Sequence, residues 1–282
     1  MKYKSTEWTI QKIIDSVDLI EWDIFCEHFK PKTENIKSYG ICLYYFDFFY
    51  LFKERINWNS FCKNKNVQWN QLSRTLYSHQ ITDKYRQNYR PTTNVLIEKA
   101  NINALQLPLK FNLFSMYFNK WDWNEMSGNE FVPEKIWTSI FRYQEYKDAI
   151  TKLNFKKLSS LKNIPWNLSF HSSEEKKSIL DFSDQWDWTE IVTNKNIKWN
   201  NQMIIDHAKY FPWEGQSGGR IGHYWYKHSV VAKCGHINFP IEVLKQYTNN
   251  WAKGMYDGCI RADSEGDWIV FSKNHKINIY IL

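Results

Sequence analysis

The feature that most constrains how this chain folds is a motif that returns five times. With an aromatic residue as position zero, Trp22, Trp58, Trp123, Phe155 and Trp188 align without gaps in "IEWDIFC", "INWNSFC", "WDWNEMS", "LNFKKLS" and "WDWTEIV". Successive zero positions lie 36, 65, 32 and 33 residues apart, and the longest interval leaves room for a degenerate copy at Ile102 to Leu107. Regular spacing of this size is the mark of tandem structural units.

Each slot has a consistent chemistry. The residue two before the aromatic is apolar (Ile20, Ile56, Trp121, Leu153, Trp186), and the one before it is acidic or amide (Glu21, Asn57, Asp122, Asn154, Asp187). Three after is apolar (Phe25, Phe61, Met126, Leu158, Ile191), and four after is small (Cys26, Cys62, Ser127, Ser159, Val192). Positions zero, three and four share one helix face. The pattern predicts a short helix that starts at the aromatic and is capped by the preceding Asp or Asn. Asn64, Asn129 and Asn194 stand six after the aromatic, where a left-handed residue would end the helix.

An aliphatic residue returns at position nine (Val67, Val132, Ile164, Ile197), followed in two copies by Pro133 and Pro165. Trp69, Trp166 and Trp199 occupy position eleven. The prolines suit the first turn of a second, longer helix. "SSEEKKSILDFSD", with Ser172 and Glu175 at capping-box spacing, and "NQMIIDHAKYF" read as such helices. A unit this small cannot bury its apolar face alone, so neighbours must stack. The fold class expected is mainly α, with short-helix/long-helix tandem repeats in an α-solenoid or compact helical array. This region spans residues 1–213, with a small mixed α/β segment after it at 214–282.

The motif gives its chemistry-bearing residues structural roles. Asp122 and Asp187 share their slot with Glu and Asn, so they read as caps and not as paired catalytic carboxylates. Cys26 and Cys62 share theirs with two serines and a valine, so they read as small packing residues. "WDWNEMSGNEFVPEKIW" and "WDWTEIVTNKNIKW" resemble the tandem Trp-rich "WDW…LS.N..I.W" repeats of proteins from Bacteroidota and large DNA viruses. The resemblance covers patches of Asp18 to Trp213. It implies a helical repeat protein and brings no established activity or catalytic residues.

Composition sets further bounds. Mean hydropathy is −0.60 while 18% of the 282 residues are aromatic, 15 of them Trp, so burial rests on rings rather than aliphatic runs. The apolar run Ile41 to Phe52 holds Asp47 and falls short of the roughly 20 residues a membrane span needs, so a buried helix is expected and no membrane partner. The start reads as no secretory signal, which places the protein in the cytoplasm. Five cysteines in no paired framework read as reduced thiols. The net charge of +7 is interleaved with acids along the chain.

Eight of the ten glycines follow Glu214, and the stretch from Gly215 to Gly222 reads as a linker. It lacks the Lys and Ser/Thr of a phosphate-binding loop. "PIEVLKQYTNNWAKGM" reads as a helix opened by Pro240, and two short β-like runs follow. His223, His228, Cys234 and His236 are candidate metal ligands, although their spacing matches no common zinc motif. Arg220, His223, Tyr224, Trp225, Tyr226, Lys227 and His228 interleave cations with rings, as single-strand nucleic-acid binders do. Asp257, Asp263, Glu265 and Asp267 are the acids a metal-dependent hydrolase or nuclease would need. No nucleophile elbow or cofactor motif occurs, so no cofactor is expected. The leading expectation is a non-enzymatic interaction scaffold with a protein partner, and nucleic acid is the alternative.

Overall fold

The computed structural model describes residues 7–32, 38–79, 107–172, 175–213, 215–221, 224–231 and 234–251. The protein is mainly helical, with short two-stranded sheets. The chain divides into two compact units, residues 1–154 and 155–282.

The first unit is organised around the helix Ser38–Phe52. Residues Ile41 to Phe46, Phe48, Phe49 and Phe52 are all buried, so this helix is covered on nearly every side. Its tyrosines keep their hydroxyls satisfied. Tyr44 Oη donates to Trp8 O at 2.7 Å, and Tyr45 Oη accepts from Gln68 N–H at 2.9 Å. The short helices Trp22–His28 and Trp58–Lys63 pack their rings on it, and Trp123–Met126 lies against Trp58–Lys63. Glu7–Trp8 pairs in parallel with Lys30–Pro31, and Leu76–Tyr77 pairs antiparallel with Lys110–Phe111.

In the second unit the helices Phe155–Ser159, Trp188–Thr193, Asn201–His207 and Ile241–Trp251 accompany two antiparallel hairpins. These pair Ser169–Ser172 with Glu175–Ser178, and Gly215–Ile221 with Tyr224–Ser229. Pro240 opens the last helix, its carbonyl accepting from Val243 and Leu244 N–H. Trp213 stacks on Tyr247 with ring centroids 4.8 Å apart, which docks that helix on the end of the preceding segment.

All five motif copies begin a helix at the aromatic, as the slot pattern predicts. The caps are where Asn and Asp stand. Asn57 Oδ1 accepts from Ser60 N–H, Asp122 Oδ1 from Glu125 N–H, and Asp187 Oδ1 from Thr189 and Glu190 N–H. Glu21, one methylene longer, makes no capping bond to its helix.

The second helix of the unit varies far more than the motif suggests. After Pro133 it is the helix Glu134–Arg142, burying Ile136, Trp137, Ile140 and Phe141 as one stripe, and "NQMIIDHAKYF" forms Asn201–His207 with a 3-10 turn at Ala208–Tyr210. Trp69–Leu72 is a single turn, and Pro165 opens no helix. The run expected to be helical from Ser172 is a hairpin, in which Ser172 and Glu175 are paired residues rather than a capping box. Between Phe170 and Ile179 there is no apolar residue, so a helix there would have no stripe to bury. The capping box that does form joins Ser178 and Asp181 three residues on. The glycine-rich segment expected as a linker is also extended and paired over Gly215–Ile221.

Candidate functional site

The Cys, Ser, Asp and Asn residues of the motif are tied to one another by a recurring set of hydrogen bonds. Position four of one copy accepts the backbone N–H that precedes the next aromatic. Cys26 Sγ receives Asn57 N–H, Cys62 Sγ receives Asp122 N–H at 3.3 Å, Ser127 Oγ receives Asn154 N–H at 2.9 Å, and Ser159 Oγ receives Asp187 N–H at 2.9 Å. The slot is therefore small because a neighbouring backbone must approach it. It is Cys or Ser because that backbone needs an acceptor.

Position six supplies the return bond. Asn64 Nδ2 donates to Cys26 O and Phe29 O, both at 2.8 Å; Asn129 Nδ2 donates to Cys62 O at 2.7 Å; Asn194 Nδ2 donates to Ser159 O and Leu161 O at 3.2 and 3.1 Å. Each of these amides also accepts the N–H two residues on, from Asn66, Phe131 and Asn196. At Asn64 and Asn194 the expected left-handed backbone does not occur. Asn64 has φ −69° and ψ 117°, and Asn194 has φ −75° and ψ 102°. The slot needs Asn for its buried amide, which satisfies carbonyls at the end of the preceding short helix.

A third set runs along the helix starts. Asn57 Nδ2 donates to Asp23 Oδ1 at 2.6 Å, Asn59 Nδ2 to Asp122 Oδ2 at 2.8 Å, and Asn154 Nδ2 to Asn124 Oδ1 at 2.9 Å. The second and third copies thus bond directly to each other, with no unit between them at this contact. The degenerate copy expected near Ile102 lies outside the described residues except for Leu107.

Seven of the tryptophans bond their indole N–H locally. Trp22, Trp58, Trp166, Trp188 and Trp213 each send the indole N–H to the carbonyl five residues earlier. Trp121 and Trp186 each reach the carbonyl seven residues earlier. Buried indoles keep a donor satisfied this way. The opening aromatics Trp22, Trp58, Trp123, Phe155 and Trp188 are packing residues.

The thiols are inert by the same burial. Burial is the largest cause raising Cys26 to about 12, with the Asn57 N–H opposing it and Asp23 adding to it, and burial likewise raises Cys62. Above pH 9 the unfolded chain releases thiol protons that the native chain retains. The stability contribution is complete below about pH 9 and is lost as pH rises towards 12. We expect alkaline titration to lower the urea midpoint across that window, with a smaller slope in Cys26→Ser. An unchanged slope would sink this assignment.

Of the other sequence candidates, Arg220 and Tyr224 to His228 lie on one hairpin. Arg220 and Trp225 are register partners in the Gly215–Ile221 hairpin, as are Gly219 and Tyr226, Gly218 and Lys227, and Ser217 and His228; Tyr224 pairs with Ile221. His223 lies outside the described residues, as do Asp257, Asp263, Glu265 and Asp267. Cys234 is buried with its Sγ donating to Val230 O at 3.2 Å, and burial pushes its thiol up to about 11. His236 stands in an exposed turn, its imidazole held low by partial burial first and Lys195 second. Among the described residues no three His, Cys, Asp or Glu gather to hold a metal ion. No described helix is long and apolar enough to cross a membrane. No known protein family, curated protein or solved structure matches the chain.

The bonding scheme also makes a direct prediction. Ser159→Val copies the side chain that the fifth copy carries at this slot, Val192, but removes the acceptor for Asp187 N–H. We expect it to cost about 1–3 kcal/mol in urea unfolding, the range for leaving a buried donor unsatisfied. Ser160→Val, one residue on and exposed, should change stability by less than about 0.5 kcal/mol.

Proposed function

We propose that this protein is a non-enzymatic binding protein, a tandem Trp-rich helical repeat of the kind its motif resembles, whose partner is another protein. The observation that carries the reading is the recurrence of the same three hydrogen-bond sets at equivalent slots of successive copies. These bonds occupy the Asp, Asn, Ser and Cys side chains that a catalytic site would draw on. What the scheme leaves over is surface, and stacked helical units offer extended surfaces for macromolecular contact. Fold alone does not define function, so the partner must be found directly.

The test is a pull-down of the tagged protein from its native extract, with and without nuclease, read by mass spectrometry and by absorbance for bound nucleic acid. A stoichiometric protein that survives nuclease is the expected result. Loss of all bound material on nuclease treatment overturns it in favour of nucleic acid, with the hairpin bearing Arg220 and Tyr224 to His228 as the first place to mutate.

A further inference from the structure

The turn that follows the short helix carries a pattern of its own. "KNVQWN" runs from Lys65 to Asn70, "KNIPWN" from Lys162 to Asn167, and "KNIKWN" from Lys195 to Asn200. In the second unit two of these turns lie side by side. Asn194 Nδ2 bonds Ser159 O and Leu161 O, Asn167 Nδ2 donates to Lys198 O at 2.9 Å, and Lys198 N–H returns to Asn167 Oδ1 at 3.2 Å. Ile164, Trp166 and Ile197 of these turns are buried, and Trp199 is half-buried against Phe211. Lys162, Lys195 and Lys198 are exposed.

Charge of one sign is concentrated on this edge. It carries no acid, since neither 160–168 nor 194–205 contains Asp or Glu. Among the described residues none of the three lysines makes an ion pair. The acids of the Trp188 helix, Asp187 and Glu190, sit at its opposite, N-terminal end. A lysine just after a helix also complements the helix's negative end, which accounts for one cation per copy. It does not account for Lys198. The turns are fixed to each other before any partner arrives, so little ordering cost is left for binding.

We propose that the paired turns 161–167 and 194–200 form a docking edge for an acidic, Asp/Glu-rich segment of a protein partner. The inference rests on the protein-binding reading above. It favours a peptide over single-stranded nucleic acid because neither ring of these turns stands free to stack on a base. Trp166 is only 2% exposed, and Trp199 is half-buried with its ring 5.2 Å from Phe211, unlike the open stacking platforms that single-strand binders use. Complementary charge of this kind sets partner choice and association rate and weakens with salt.

The test compares the full-length protein, a Lys162→Ala/Lys195→Ala/Lys198→Ala variant, and a Lys53→Ala/Lys120→Ala/Lys147→Ala variant of equal net charge. Binding of a labelled oligoglutamate and of a labelled single-stranded oligonucleotide of equal charge is read by fluorescence anisotropy at low and physiological salt. Far-UV circular dichroism confirms that all three fold alike. The expected result is oligoglutamate binding that falls at least tenfold in the first variant and is unchanged in the second. Equal oligoglutamate affinity in all three overturns the proposal, and so does an oligonucleotide that binds more tightly and is lost only in the first variant. Running the pull-down with the same variants separates the two levels. A stoichiometric protein retained by every variant overturns the docking edge and leaves the protein-binding reading standing. Absence of any protein partner overturns that reading itself.

Discussion

Trp121→Ala is expected to lower the unfolding free energy by about 4 kcal/mol, the middle of the range for truncating a buried large aromatic. Trp121 is 4% exposed, and its ring lies 5.1 Å from Trp58, 5.6 Å from Trp69, 5.7 Å from Phe114 and 5.9 Å from Phe49. Its indole N–H donates to Phe114 O at 2.8 Å. Truncation removes these ring contacts and a further one with Phe61 at 6.3 Å, and strands a buried carbonyl. Trp121→Phe keeps most of the ring and loses the donor, so it should cost about 1–3 kcal/mol. Urea unfolding followed by far-UV circular dichroism gives both numbers, with the slope checked for constancy. A loss below about 1.5 kcal/mol for the alanine variant would show that the ring cluster relaxes to fill the space.

Asn64→Ala should be nearly as damaging, at about 3 kcal/mol, because a buried polar partner is removed from three backbone groups at once. Asn64 has no exposed surface, and its amide holds Cys26 O, Phe29 O and Asn66 N–H. Asn64→Asp should be worse than alanine, since it sets a carboxylate against two carbonyl oxygens and desolvates its charge. The exposed Asn119→Ala serves as control and should shift stability by less than about 0.5 kcal/mol. If Asn64→Ala behaves like that control, the amide is not what joins the first copy to the second.

Much of the local structure was legible because it depends on nearest neighbours. A helix starting at Trp22, Trp58, Trp123, Phe155 and Trp188 follows from an apolar face at positions zero, three and four, and Asn57, Asp122 and Asp187 announce the cap. The buried helix Ser38–Phe52 follows from the run of rings it contains. Asn64 and Asn194 were misread for a physical reason. Asn ends helices through its backbone or through its amide, and only the φ and ψ of the folded chain distinguish the two. The segment from Ser172 to Ser178 was misread because capping-box spacing is a local signal, and helices of this length need an apolar stripe to survive.

The sequence by itself determined where each short helix begins, which face it buries and that its Asp, Cys and Ser slots are structural, because those properties are written in the spacing of side chains along one strand of backbone. The tertiary structure alone decided what those slots bond to. It joined Cys62 to Asp122 and Ser159 to Asp187. It also turned a glycine-rich stretch into a paired strand and set two lysine-bearing turns side by side. These bonds between copies join residues 28 to 60 positions apart, and no local propensity specifies them; they form because a buried N–H or C=O left without a partner costs more than the chain entropy of bringing one to it.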